Sequence, residues 1–394
     1  MSASYAALEE QKGMTLKLLE YCGKNDWAGY DPYDVLNSRI LKRIFFMNSR
    51  LPRLALTQLM KRNPINFRKV LLVPKTQNPK AIALFLMALQ KLWKLRMLDG
   101  DQLVGMMADK LIALRSPDPP YSGWGYSFPW QTRIDLVPRG TPNLVCTTFA
   151  ANALLNVFDE NHDSRCLTVA IEASELILNH LYWTDSGGAA GFAYPLPSIR
   201  TITHNANFLG AALLCRVFRY TGEEKFLLPA LKVARYSATK QNDDGSWYYG
   251  ELSTQRWIDN FHTGYNLLAL RDINQYCGTT EFNPHIETGF NFYKNHFFRD
   301  DGAPKYFHDR TYPIDIHCVA QSLITLISLA DLDDRNIDLA YSIIRWAYIH
   351  MWDERGYFYY QVHPLYTNKI SYMRWSQAWM LLALSYFLEG IAGR

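Results

Sequence analysis

The chain has 394 residues, 48% hydrophobic and 20% charged, enough to bury a large core as one big domain or two smaller ones. With 41 basic and 37 acidic residues the net charge is only +4, which excludes the strongly basic footprint of a nucleic-acid binder. Six scattered cysteines with no CxxC pair, and no apolar run reaching the roughly 18 residues of a membrane span, point to a soluble cytoplasmic protein.

The first 24 residues are amphipathic and charged, with no signal-peptide core, and predict a helix over 5–22. Residues 35–75 predict one or two extra helices, broken at Pro52 and Pro64. Arg39, Lys42, Arg43, Arg50, Arg53, Lys61, Arg62, Arg68 and Lys69 alternate there with Phe45, Phe46, Leu54, Leu56 and Leu59. That run reads either as a solvated face or as a patch, over residues 39–69, for a membrane surface or an assembly partner. A helix pair follows at 80–98 and 102–114.

From there the chain repeats. Gly123-Trp-Gly-Tyr-Ser-Phe-Pro-Trp130, Gly187-Gly-Ala-Ala-Gly-Phe-Ala-Tyr-Pro195, Asp244-Gly-Ser-Trp-Tyr-Tyr-Gly250, Asp301-Gly-Ala-Pro-Lys-Tyr-Phe307 and Arg355-Gly-Tyr-Phe-Tyr-Tyr360 recur about every 55 to 65 residues. Gly29-Tyr-Asp-Pro-Tyr33 is an earlier copy. Between them lie predicted helix pairs at 143–158 and 164–182, 203–220 and 223–240, 256–276 and 282–298, and 315–330 and 336–351. A last helix at 371–391 closes on the first. The helix entered from each aromatic loop is the more apolar of its pair, and its partner carries more Lys, Arg and Glu. The prediction is all-α: an (α/α)6 toroid spanning 1–394 as one domain, with the 35–75 excursion inserted and long aromatic loops on one rim.

Each predicted inner helix opens with polar residues. Asp34 and Asp315 suit helix caps, but His262, His317 and Gln321 fall inside helices on an apolar wall. Acid/base work is therefore assigned to Asp259, His262, Asp315 and His317. Arg256, Arg310 and Arg374 would hold an anionic group, and Trp124, Trp130, Trp247, Trp257 and Trp375 would stack on sugar rings. His204, Asn205, Asn260, His308, Tyr312 and Gln321 supply further polar contacts. Unlike carboxylates divide acid and base roles in glycoside hydrolysis; His, Tyr and Arg abstract and return a proton beside a uronate. Spacing does not choose between them. No HExxH, CxxC, phosphate loop or GxSxG elbow is present, and neither a metal nor a cofactor is expected.

Asp331-Leu-Asp-Asp334 has the DxDD form of class II terpene cyclases, and Gln241-Asn-Asp-Asp-Gly-Ser-Trp247 resembles their Gln/Trp repeat. The repeat places the DxDD form in a short turn on the rim away from the aromatic loops, and the Gln/Trp stretch reads as packing between repeats.

Trp27-Ala-Gly-Tyr-Asp-Pro-Tyr-Asp34, Arg256-Trp-Ile-Asp-Asn-Phe-His-Thr-Gly264 and His308-Asp-Arg-Thr-Tyr-Pro-Ile-Asp-Ile-His317 together resemble a bacterial family of exopolysaccharide and capsule biosynthesis with a six-hairpin-glycosidase-like toroid. The shape is more distantly similar to unsaturated glucuronyl hydrolases, glucuronyl C5-epimerases and N-acylglucosamine 2-epimerases. The resemblance implies an enzyme acting on an oligosaccharide or lipid-linked glycan, of hydrolase or epimerase type. A non-catalytic glycan-binding or scaffold subunit of a polysaccharide assembly complex is one alternative, and a class II terpene-cyclase-like enzyme using Asp331–Asp334 is another.

Overall fold

The computed structural model describes residues 3–44, 49–116 and 122–392. Phe45 and Phe46 of the basic run lie outside them. The helices are α1 (Ala3–Lys24), α2 (Arg50–Arg62), α3 (Pro79–Lys94), α4 (Gln102–Ala113), α5 (Leu144–Asn161), α6 (Ser164–Leu176) and α7 (His204–Thr221). They continue with α8 (Glu224–Ala238), α9 (Asn260–Cys277), α10 (Asn283–His296), α11 (Ile316–Ser328), α12 (Asn336–Met351) and α13 (Trp379–Ala392), the last entered through a π-helical stretch, Met373–Ala378.

Helix α3 packs on α5, α5 on α7, α7 on α9, α9 on α11, α11 on α13, and α13 back on α3. Outside this closed ring α4, α6, α8, α10 and α12 each cover the helix they follow, and α1 covers α13. The chain is an (α/α)6 toroid. Burial explains which helix goes where. Every residue from Ile316 to Leu326 in α11 is buried, so that helix has no face for water. Helix α8 buries only Phe226, Ala230, Val233, Ala234, Ser237 and Ala238, one stripe at helical spacing, and belongs outside.

The inner helices start at one rim with side-chain caps. Asn78, Asn143, Asp259 and Asp315 accept hydrogen bonds from the backbone N–H of Lys80, Cys146, His262 and His317. At the other rim α7 and α9 end on Gly222 and Gly278, whose φ of 69° and 62° is the left-handed conformation that closes a helix without a Cβ clash. Among the described residues the strands are short and lie in the long loops: hairpins such as Tyr182–Thr184 with Ala190–Phe192, and a three-stranded sheet in which Ile314–Asp315 pairs with Gln361–Val362 and that strand with Thr367–Asn368.

Two expectations need correction. Helix α9 begins at Asn260, not at 256: Asp259 caps it and Arg256 lies in the loop before it. Asp34 caps nothing, because Arg68 claims it. Arg68 is buried; its Nε donates to Asp34 Oδ1 at 2.6 Å, Nη1 to the Tyr372 hydroxyl at 2.9 Å and Nη2 to the Asp31 carbonyl at 2.8 Å. This guanidinium fastens the 35–75 excursion to the start of the last inner helix. The excursion has a small core of its own, in which Met60 of α2 meets Val35, Leu36 and Leu41.

The Gln/Trp stretch is packing between repeats. Gln241 Nε2 donates to the carbonyls of Gly245 and His285, Trp247 Nε1 donates to Ser237 O at 3.1 Å, and the Trp247 ring meets Phe208 edge-on.

Replacing Arg68 by Ala leaves the Asp34 carboxylate buried and unpaired. Such a loss costs on the order of 3 kcal/mol, and a shift of the urea-unfolding midpoint to lower denaturant measures it.

Candidate active site

Asp259 and His262 form a dyad at the top of α9. Asp259 Oδ1 accepts the His262 backbone N–H at 3.0 Å, and Oδ2 lies 2.7 Å from His262 Nδ1. Trp257 Nε1 also donates to Oδ2, at 2.9 Å. A carboxylate can only accept here, so Nδ1 carries a proton, and in the neutral ring the lone pair is on Nε2. Asp259 is buried, while the His262 ring keeps about a fifth of its surface open (side chain 21%). It borders a narrow recess with Asn205, Tyr249 and Asn266. The Oδ1 atoms of Asn205 and Asn266 are buried there without a hydrogen-bond partner.

His317 stands one repeat further on. Its Nε2 lies 2.6 Å from the Tyr265 hydroxyl, and its ring is 4.6 Å from those of Phe261, Trp375 and Trp379. Burial first, and then the positive charges of Lys80 and Arg374, hold its pKa well below the usual histidine value, so the ring is neutral. Asp315 does not touch the imidazole. Its Oδ1 accepts the His317 backbone N–H at 2.8 Å and Trp375 Nε1 at 2.9 Å, and its Oδ2 accepts Gln361 Nε2 at 2.6 Å. Desolvation raises its pKa. Asp315 is a buried brace, and its assignment to acid/base work is corrected accordingly.

Two groups that sequence reasoning missed complete the floor. Lys80, near the start of α3, places Nζ 4.2 Å from the Phe149 ring centroid, 5.2 Å from Trp379 and 5.7 Å from Tyr265. The residue is buried, and burial, aided by Arg374, lowers its pKa to about 7. The second is Asp31, which holds Arg374 in a buried bidentate pair at 2.6 and 2.9 Å.

The wall is a set of tyrosines, one from each of five aromatic loops: Tyr33, Tyr126, Tyr194, Tyr249 and Tyr306. Desolvation pushes the phenols of Tyr126, Tyr249 and Tyr306 well above their usual pKa and that of Tyr194 up to about 12. Yet each keeps part of its surface open to solvent. Crowding together with residual exposure is the signature of a concave wall. The group converges: the Tyr33 ring meets Trp375 edge-on at 5.6 Å, the Arg374 guanidinium lies 4.9 Å from the Tyr126 centroid, and Tyr249 is 4.6 Å from the His262 ring.

Of the residues expected here, Asp259, His262, His317, Asn205, Arg374, Trp257 and Trp375 come together. Trp257 stacks on Tyr249 with centroids 4.5 Å apart, and half-buried Trp130 meets Tyr126 edge-on. Trp124 is a correction: it is a core residue, its Nε1 donating to the Leu111 carbonyl, whereas Trp247, also buried, lines the recess beside His262. Asn260 is bonded to Ser322 and Tyr293 and locks neighbouring helices. Gln321 donates to Thr325 and lines a cavity of about 190 Å³ behind the floor. His204 is buried with Nδ1 unpartnered, and burial lowers its pKa to about 4. Arg256 is exposed over Tyr248, Arg310 pairs with its neighbour Asp309, Tyr312 is exposed, and His308 leans on the Ile258 carbonyl. Those four stand on the rim rather than the floor.

The DxDD stretch lies in the turn between α11 and α12. Asp331 pairs with Arg271, and Asp333 with Lys294 and Arg335. The Lys294 ammonium holds Asp333 far below the usual carboxylate range, the opposite of what a proton donor needs. Among the described residues no group of three His, Cys, Asp or Glu is placed to hold a metal ion.

No family model matches the chain, and no curated protein matches it in sequence. Solved structures match it in fold. Cellobiose 2-epimerase from Bacillus thermoamylovorans superposes with a TM-score of 0.63 at 13% identity, over 82% of this chain and 90% of that one. An unsaturated glucuronyl hydrolase specific for heparin gives 0.64 at 12% identity, over 99% and 98%. A D-mannose isomerase gives 0.58 at 13%, over 80% and 88%. At these identities the likeness is one of fold.

Lys80 supplies a test. A lysine depressed to about 7 is neutral above that pH in the folded chain but protonated to about pH 10 when unfolded. The unfolded chain then binds more protons, so this residue makes stability rise from about pH 7 to 10. Lys80→Met removes the cost of the buried charge. It should melt several degrees higher than the parent at pH 6, with the gap closing toward pH 10, in thermal scans followed by circular dichroism.

Proposed function

We propose that the bowl is the active site of a carbohydrate-active enzyme that moves a proton on a sugar, as epimerases and isomerases do. One observation carries this reading: the carboxylates of the bowl are all committed, while His262 Nε2 makes no hydrogen bond among the described residues and its ring is partly open. Asp31, Asp259 and Asp315 each accept two or three strong donors. Glycoside hydrolysis needs a carboxylic acid free to protonate the leaving oxygen. Proton abstraction next to a carbonyl needs a base held in one tautomer, a second proton site, and positive charge for the oxygen that gains electrons.

His262 Nε2 is the base, oriented by Asp259. It takes the proton from the carbon next to the carbonyl of an open-chain sugar, and the electron pair moves to the carbonyl oxygen. Lys80 and the N-terminal ends of the inner helices stabilise that charge. The His317–Tyr265 pair is the second proton site, and return of a proton to the other face inverts the carbon. The tyrosine wall and Trp257 stack on the sugar rings, and the unpartnered Asn205 and Asn266 oxygens accept sugar hydroxyls. The similarity in fold to sugar epimerases, an isomerase and a glucuronyl hydrolase supports a carbohydrate-active enzyme; the choice of proton transfer rests on the side chains. The family resemblance of the three motifs adds a role in cell-surface polysaccharide synthesis, on an oligosaccharide or lipid-linked glycan, inside the cell.

The experiment is turnover of a panel of reducing mono- and disaccharides in D2O, read by NMR. Deuterium should enter at the carbon beside the carbonyl. His262→Ala should lower the rate roughly 10²–10⁴-fold, the usual worth of an acid/base group, and Asp259→Asn should lower kcat with a smaller change in KM. Hydrolysis without deuterium incorporation, or full activity of His262→Ala, overturns the assignment. Glycan binding without turnover, undiminished by Asp259→Asn, would make the protein a binding subunit.

A further inference from the structure

We propose that the outer face of α2, with the stretch 62–72 that follows it, is a docking surface for an anionic lipid bilayer. The charge distribution says so first. No Asp or Glu occurs between Asp34 and Asp99, and residues 39–69 hold nine of the 41 basic residues of a chain whose net charge is only +4. The rest of the molecule is therefore net acidic, and this segment stands out from it. Among the nine, Arg68 is spent on Asp34 and Lys61 turns inward to the Tyr33 hydroxyl at 2.6 Å. Arg39, Arg43, Arg50, Arg62 and Lys69 are exposed.

The second observation is apolar. Leu51 and Leu59 of α2 are 68% and 61% exposed, and Ile65 and Val70 just after it 61% and 71%. Along α2 the exposed positions are 50, 51, 55, 58, 59 and 62, one stripe at helical spacing, while Thr57 and Met60 face the protein. The helix thus buries one face and offers water a second that carries leucine and arginine. Arg39 N–H donates to Leu72 O, which joins the start of the excursion to its end. The hairpin beyond adds Leu365, 95% exposed, beside Tyr366, whose hydroxyl reaches Arg62 O.

The patch combines exposed cations with exposed leucine, isoleucine and valine on one segment. Arginine and lysine interleaved with leucine, valine and isoleucine, and free of any acid, match a leaflet in which anionic headgroups overlie acyl chains. The opposite face of the excursion touches the bowl: Lys61 lies over the rings of Tyr33 and Trp375. Docking through α2 therefore sets the mouth of the ring at the headgroup level. The docking itself stands whether or not the proton-transfer reading holds.

Sedimentation of the full chain with phosphatidylcholine vesicles, with and without 30% phosphatidylglycerol, tests it. The protein should pellet with the anionic vesicles at least tenfold more strongly than with neutral ones, and 0.5 M NaCl should release it. Arg50→Glu/Arg62→Glu/Lys69→Glu should bind more than tenfold more weakly. Leu51→Ser/Leu59→Ser/Val70→Ser should also weaken binding while leaving its salt dependence in place. Neither set enters the bowl or the core, and unchanged circular dichroism and turnover confirm that both fold. No preference for anionic vesicles, or binding untouched by both variants, overturns the proposal. So does binding to poly-glutamate by a protein that ignores vesicles, which would assign the patch to an acidic polypeptide.

Discussion

The inner helices are buried on every side, and that constraint orders everything else in the molecule. A helix such as α11, with no residue exposed from Ile316 to Leu326, can keep polar side chains only if each finds a partner or sits at an end. The ends at one rim are the N-termini, where backbone N–H groups need acceptors. Asn78, Asn143, Asp259 and Asp315 meet that need. Closing the ring brings these caps to one place, together with the positive ends of six helix dipoles.

Capping and chemistry therefore share atoms. Asp259 caps α9 with one oxygen and orients His262 with the other, so the imidazole is aimed by the same group that starts the helix. Asp315 also caps, but it turns its remaining capacity to Trp375 and Gln361 and braces the ring from behind. The two carboxylates differ in which neighbours take the second oxygen. Around them lie groups that a purely structural design would avoid. Lys80 is buried among aromatic rings, and Asn205, Asn266 and His317 carry buried atoms without hydrogen-bond partners. Such groups cost stability where they stand, and a ligand in the recess would satisfy those of Asn205 and Asn266.

The excursion links this interior to the surface. Arg68 ties it to the last inner helix from within, Lys61 reaches over the bowl, and the leucines and arginines of α2 face outward. One short amphipathic helix thus contacts the rim tyrosine Tyr33 on one side and solvent on the other.

Hairpin count, loop rhythm and the choice of inner and outer helices were legible in the sequence, because each depends on periodicity within a few turns. The Asp259–His262 dyad was legible for the same reason: the two residues lie three apart, so local helix geometry alone makes them neighbours. What only the tertiary structure decided involves residues far apart in the chain. Asp31 and Arg374 are 343 positions apart, and Tyr265 and His317 are 52 apart. Nothing in the local pattern marked Lys80 for the floor, or distinguished Trp124, sealed in the core, from Trp257 and Trp375 at the candidate site. Periodicity tells a side chain which face of its own helix it occupies; only ring closure determines what that face meets.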